Sequence, residues 1–232
     1  MFAFAHVFAG TLIGFGFWHL TGDRRALPVA VFGALLPDLI DKSLSLLVPG
    51  IFGSGRTLGH TLLFFAAAMA AGLLVWKCRQ TLLGVACAAA IFSHQILDSM
   101  WTMPAAWFFP FLGPFPVFII PDYVWQYLWL EITSPSEWIF AGASFILLAT
   151  GYWSIPERLA RFLTSRRSNI ARIIIAVLLG GMSACLLLSA LASAPQAFFA
   201  PTYDPVTDGM AGLLALCGVA VFARWPWPAG HD

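Results

Sequence analysis

Apolar stretches recur along almost the whole chain, near 3–20, 26–44, 58–76, 80–98, 137–154, 170–192 and 209–224. A helix needs roughly 20 mostly apolar residues to cross a bilayer core, so the pattern predicts an all-α, polytopic membrane protein with about seven transmembrane helices. Composition agrees, because 60% of the 232 residues are hydrophobic and only 10% are charged, against about 25% charged in soluble domains. With a mean hydropathy of +0.84, too little polar surface remains to cover a water-soluble globule, which excludes a soluble enzyme, a disordered chain and a coiled coil.

The net charge of +1 is not gathered into a basic stripe, so no nucleic-acid partner is expected. Cys78, Cys87, Cys185 and Cys217 form no CxxC pair and read as small residues of apolar segments. The opening Met1-Phe2-Ala3-Phe4 has no basic flank, and His6 follows within the first stretch. That segment is expected to stay as a membrane helix rather than act as a cleaved leader.

If seven spans alternate, Arg24, Arg25, Lys77, Arg79, Arg158, Arg161, Arg166, Arg167, Arg172 and Arg224 share one side, and only Lys42 and Arg56 fall on the other. Basic loops face the cytoplasm. The expected location is thus a bacterial-type inner membrane, with the N-terminus extracytoplasmic and the C-terminus cytoplasmic. Asp122, Glu131, Glu137, Asp204 and Asp208 then populate the outer loops.

The longest connection, Ser99 to Ser136, carries Trp101, Trp107, Phe108, Phe109, Phe111, Phe115, Trp125 and Trp129 among several prolines. Trp favours the headgroup level and Pro breaks helices, so a re-entrant or interfacial aromatic loop is expected. The second stretch holds Pro37, Asp38, Asp41 and Lys42, which predicts a kinked or broken helix.

Ionisable groups inside apolar spans are costly and mark functional sites by default. In the topology above, His6, Asp38, Asp41, His60, His94 and Asp98 converge on the outer face. His94 and Asp98 lie one helical turn apart and share a side. Three imidazoles and three carboxylates at one level suit a divalent metal, zinc first with manganese or iron as alternatives, as one or two ions. The competing reading is a buried polar network in which Lys42 and Arg56 neutralise two of the carboxylates.

At these residues the chain resembles the membrane-bound metal-dependent hydrolase family, the YdjM-type, LexA-binding, inner membrane-associated group. The matching pieces are His6, Gly33-Ala34-Leu35-Leu36-Pro37-Asp38 with Asp41, Arg56 through His60-Thr61, and Ser93-His94 with Asp98, followed by Phe109-Pro110. They cover roughly the first half of the chain. The family is distantly similar to zinc-dependent phospholipase C and P1-nuclease-like enzymes, which implies an α-helical metal site acting on a phosphoester. Carried over by position, His6, Asp38, Asp41, His60, His94 and Asp98 would be metal ligands or their immediate partners. Many members have the second aspartate two residues after the first, whereas here it stands three residues on and Lys42 follows it.

One membrane domain over 1–232 is expected, with a metal-site half at 1–120 and additional helices over 137–224. The expected activity is hydrolysis of a lipid or lipid-linked phosphoester at the extracytoplasmic face. Asp38, Asp41 or Asp98 would act as base and Arg56 as the phosphate contact, with membrane lipid and other membrane proteins as the expected partners. The alternative is a non-catalytic subunit of a larger complex with a structural metal or polar cluster. A ceramidase-like zinc amidase would want HxxxH where this chain has HxxxD, and a di-iron desaturase needs more than the five histidines present.

Overall fold

The computed structural model describes residues 3–48, 55–117, 123–151, 166–192 and 204–224. Among these every regular element is helical. The helices are α1 (Ala3–Thr21), α2 (Ala26–Leu47), α3 (Leu62–Arg79), α4 (Leu83–Leu97), α5 (Pro104–Trp107), α6 (Tyr123–Thr133), α7 (Pro135–Gly151), α8 (Arg166–Ala192) and α9 (Pro205–Arg224). Short 3-10 turns lie at Leu58–His60 and Met100–Thr102.

Each of the seven apolar stretches contains a helix, and among the described residues four helices are long and apolar enough to cross a membrane. These are Ala3–Thr21, Leu62–Arg79, Ile173–Leu191 and Pro205–Ala223. The other three expected spans are not established among the described residues. Asp38, Asp41 and Lys42 interrupt the apolar run of α2. The apolar helix α4 has 15 residues, about 22 Å at 1.5 Å per residue, short of a hydrocarbon core of about 30 Å, and the described part of α7 ends at Gly151. The chain is a membrane protein, with exposed Leu73, Leu74 and Trp76 on α3 and Ile173, Ile174 and Val177 on α8.

Two compact units divide the described chain, one over Ala9–Trp129 and the other over Phe2–Phe8 with Leu130–Asp232. In the first, α2 packs on α4 around Ala30, Ala34 and Ala90, with Ile13 of α1 against them. Small side chains let helix backbones approach closely, the usual means of packing where lipid removes the hydrophobic drive. Before α2, Asp23 accepts from the backbone N–H and guanidinium of Arg25. That hydrogen-bonded guanidinium holds the half-buried Asp23 carboxyl below its ordinary value.

In the second unit, Ser183 on α8 donates to the Gly212 carbonyl of α9 at 2.8 Å, and Ser189 donates to Asp208 at 3.2 Å. Glu137, expected in an outer loop, is buried instead, and its carboxylate accepts from the N–H groups of Phe4 and Ala5 at 2.8 and 3.2 Å. The first N–H groups of a helix have no partner within it, and a carboxylate there also meets the positive end of the helix dipole. Phe8 of α1 packs on Phe140 of α7 with ring centroids 5.3 Å apart.

The expected aromatic loop is partly helical. Ser99 turns the chain after α4 with φ +54°, and α5 follows before Phe109 and Phe115 stack at 4.1 Å. Asp122, Arg158 and Arg161, used in the charge count, lie outside the described residues.

Candidate metal centre

The centre is built in the first unit by α2, the 3-10 turn at Leu58–His60, and α4. Pro37 sits inside α2, where its missing N–H and its ring disturb the preceding turn. The helix nonetheless runs unbroken from Ala26 to Leu47, so the expected break is absent. Instead, the turn carrying His60 packs directly on Pro37. A Cβ on Gly59 would stand 2.8 Å from both Cα and O of Pro37, so only glycine permits this approach. The turn thereby brings His60 to Asp38 without any unwinding of α2.

A second close approach sets His94. A Cβ on Gly33 would lie 2.6 Å from the Cys87 carbonyl oxygen. With α2 and α4 that near, His94 Nδ1 reaches the Ala34 carbonyl at 2.6 Å. A carbonyl can only accept, so Nδ1 carries the proton and Nε2 of neutral His94 is a bare lone pair. His60 is oriented in the same way. Its Nδ1 lies 2.7 Å from Asp41 Oδ2, while the Asp41 oxygens also accept from the N–H groups of Thr57 at 2.6 Å and Gly59 at 2.9 Å.

The Nε2 atoms of the two rings point at one spot, 3.0 Å from each other. His60 Nε2 is 3.8 Å from Asp38 Oδ1 and 3.4 Å from Asp98 Oδ2, and His94 Nε2 is 3.7 and 3.9 Å from the same atoms. All four ligand atoms fall within 4.8 Å of one another. Donors held at 2.0–2.1 Å around a tetrahedral ion stand about 3.3 Å apart, so the observed spacings bracket that edge. With both imidazoles neutral and protonated on Nδ1, their Nε2 lone pairs and the two carboxylates repel in this arrangement, the carboxylates alone by roughly 3–4 kcal/mol at an effective dielectric near 20. A cation at the centre reverses the sign of every one of these contacts. Asp38, His60, His94 and Asp98 therefore fit a divalent metal ion.

Two of the six expected ligands or partners are outside the four-residue group. Asp41 lies behind His60, with its oxygens engaged by two backbone N–H groups and Nδ1. That is the place of a carboxylate that fixes the tautomer and orientation of a ligating histidine. His6 is fully buried, but it belongs to the other unit, on the segment of α1 that packs against α7, and it is outside the four-residue group.

Two cationic side chains flank the group. Lys42 Nζ lies 2.6 Å from Asp38 Oδ2, and Arg56 Nε lies 3.4 Å from Asp98 Oδ2. Arg56 also places Nη1 3.6 Å from Met103 Sδ. The side chains of Lys42 and Arg56 are 40% and 35% exposed, against 0% for both histidines, so the cations mark the accessible edge.

Gln95 is the functional residue that sequence reasoning missed. Fully buried between His94 and Asp98 in sequence, it donates through Nε2 to the carbonyls of Gly59 at 3.2 Å and Thr61 at 2.9 Å, and its Oε1 accepts from Trp107 Nε1 at 3.1 Å. It thus ties the His60 turn to the aromatic segment. The signal available was an amide in an otherwise apolar helix, which in lipid acts as interhelical glue. Two buried hydroxyls beside the centre in sequence, Thr57 Oγ1 and Ser99 Oγ, have no hydrogen-bond partner among the described residues.

No curated protein and no solved structure matches the chain. The match that exists is at the level of the family and spans residues 1–192, which takes in every residue of the centre and its flanking cations. The chain belongs to the YdjM inner membrane protein family.

Proposed function

We propose that this protein is a membrane-bound, metal-dependent hydrolase acting on a lipid or lipid-linked phosphoester at the extracytoplasmic membrane face. The observation that carries the reading is the 3.0 Å approach of two imidazole Nε2 atoms whose Nδ1 atoms are both committed to oxygen acceptors, beside two carboxylates. Held by Asp38, His60, His94 and Asp98, a divalent ion, with zinc the first choice and manganese or iron next, would polarise a phosphoryl oxygen and acidify water.

The chain's own residues supply the rest. Arg56, on the accessible edge, can place its planar guanidinium on two phosphate oxygens. Asp38 is the most exposed of the four ligands, with its side chain at 13%, and is the carboxylate placed to take a proton from an incoming water. Asp41 holds the His60 ring and keeps its proton on Nδ1. Exposed Trp101, Phe108, Phe111 and Leu112 follow Asp98 closely in the chain and suit the apolar part of an amphiphile.

The test is release of 4-nitrophenol from bis(4-nitrophenyl) phosphate by detergent-purified, metal-loaded protein, with Arg56→Met beside wild type. Turnover that requires the ion and falls at least tenfold in the variant supports the reading. Full metal loading with no turnover of this ester, or of phospholipid in mixed micelles, overturns it. The structural-metal reading then takes its place, favoured by one feature, since four protein donors already complete a tetrahedron.

A further inference from the structure

The charge of the centre can be counted. Asp38, Asp41 and Asp98 bring three negative charges, and Lys42 and Arg56, paired with the first and last of these, bring two positive ones. With neutral imidazoles the set carries one net negative charge. Within the same unit the other charged side chains among the described residues are distant along their helices. Lys77 and Arg79 close α3, whose first turn follows His60, about 22–26 Å away, and Asp23, Arg24 and Arg25 precede α2, roughly 18 Å or more from Asp38. His60, His94 and Asp41 are fully buried, and in such surroundings an uncompensated charge is expensive.

One divalent ion takes the count to a single positive charge, and one singly charged anion then neutralises it. Two divalent ions would leave three positive charges, and a doubly charged phosphomonoester on a one-ion centre would leave a negative one. Resting on the phosphoester reading above, we propose that Lys42 and Arg56 set this balance, so that the centre takes one ion and selects a singly charged phosphodiester over a phosphomonoester. Lys42 is central to it. Asp38 turns Oδ1 toward the imidazoles and Oδ2 toward Lys42 Nζ, so the lysine tempers a ligand carboxylate and offers a cation at the accessible edge. Arg56 lies between Asp98 and Met103, where the aromatic segment begins, which places the second cation where a charged headgroup meets an apolar tail.

The proposal gives one substitution, Lys42→Met, effects of opposite sign on two affinities. In Lys42→Met the cluster gains a negative charge, so metal affinity rises while diester affinity falls, each on the order of tenfold. Lys42→Arg keeps both near wild type. The full-length protein in a neutral maltoside detergent would be measured for ions per chain by elemental analysis. Calorimetric titration of the metal-loaded form would then compare dioctanoyl phosphatidylglycerol, a diester, with dioctanoyl phosphatidic acid, a monoester, at a pH where the latter is doubly charged. One ion per chain, preference for the diester and the opposed shifts in Lys42→Met support the proposal. Two ions per chain, preference for the monoester, or parallel loss of both affinities in Lys42→Met overturns it. Turnover is read separately: selective diester binding without hydrolysis would remove the enzyme reading and leave the charge assignment standing.

Discussion

His60 and His94 face each other through Nε2 at 3.0 Å, while Nδ1 of each ring faces an oxygen, Asp41 Oδ2 at 2.7 Å and the Ala34 carbonyl at 2.6 Å. With the protons on Nδ1 the two Nε2 lone pairs meet there, and with the adjacent Asp38 and Asp98 they form a group that could hold a cation.

Asp41→Asn is expected to weaken metal binding by about 10- to 100-fold. The amide oxygen can still accept from Thr57 or Gly59, but the NH₂ would then face His60 Nδ1. That favours the tautomer with its proton on Nε2, and the ligand lone pair is lost. Competition with a chromogenic chelator measures the affinity, and circular dichroism checks that helix content is kept. An unchanged affinity would contradict the positioning role.

Gly59→Ala is expected to lower stability by about 1–3 kcal/mol. The added Cβ meets backbone atoms of Pro37 at 2.8 Å rather than the movable end of a side chain, so the turn must lift off α2 and carry His60 with it. Thermal unfolding in detergent should show the loss, and metal loading should weaken in parallel. Gly142, beside which an added Cβ meets nothing within 4 Å, provides the control substitution.

Gln95→Leu leaves the Gly59 and Thr61 carbonyls and the Trp107 indole N–H without this partner. Each buried group left so costs about 1–3 kcal/mol, and the variant is expected to be markedly less stable than Trp107→Phe, which removes a single donor. Equal melting temperatures for the two variants would show that Gln95 does not join the turn to the aromatic segment.

The sequence made some of this legible and hid the rest for identifiable reasons. His94 and Asp98 were readable as one face because helical periodicity alone brings i and i+4 together. Asp38 and His60 came together from a charge count in distant loops, yet the means, Gly59 resting on an unbroken α2 at Pro37, depends on a backbone clearance that no residue pattern encodes. Asp41 read as a ligand because a sequence cannot say which imidazole nitrogen a carboxylate faces. His6 joined the set by its place on the first helix, but it packs with the other unit. Gln95 was passed over because it cannot ionise. The described helices stand where apolarity puts them, while apolar character alone says little of whether the 15 residues of α4 suffice to cross.

The central claim is that Asp38, His60, His94 and Asp98 hold a metal ion. The most direct measurement is elemental analysis of the detergent-purified protein, before and after reconstitution with zinc, manganese or iron, on wild type and on a His94→Ala, Asp98→Ala double variant. The account predicts close to one ion per wild-type chain and none in a double variant that keeps its helix content. A wild-type chain that binds no ion under any of these conditions would contradict it.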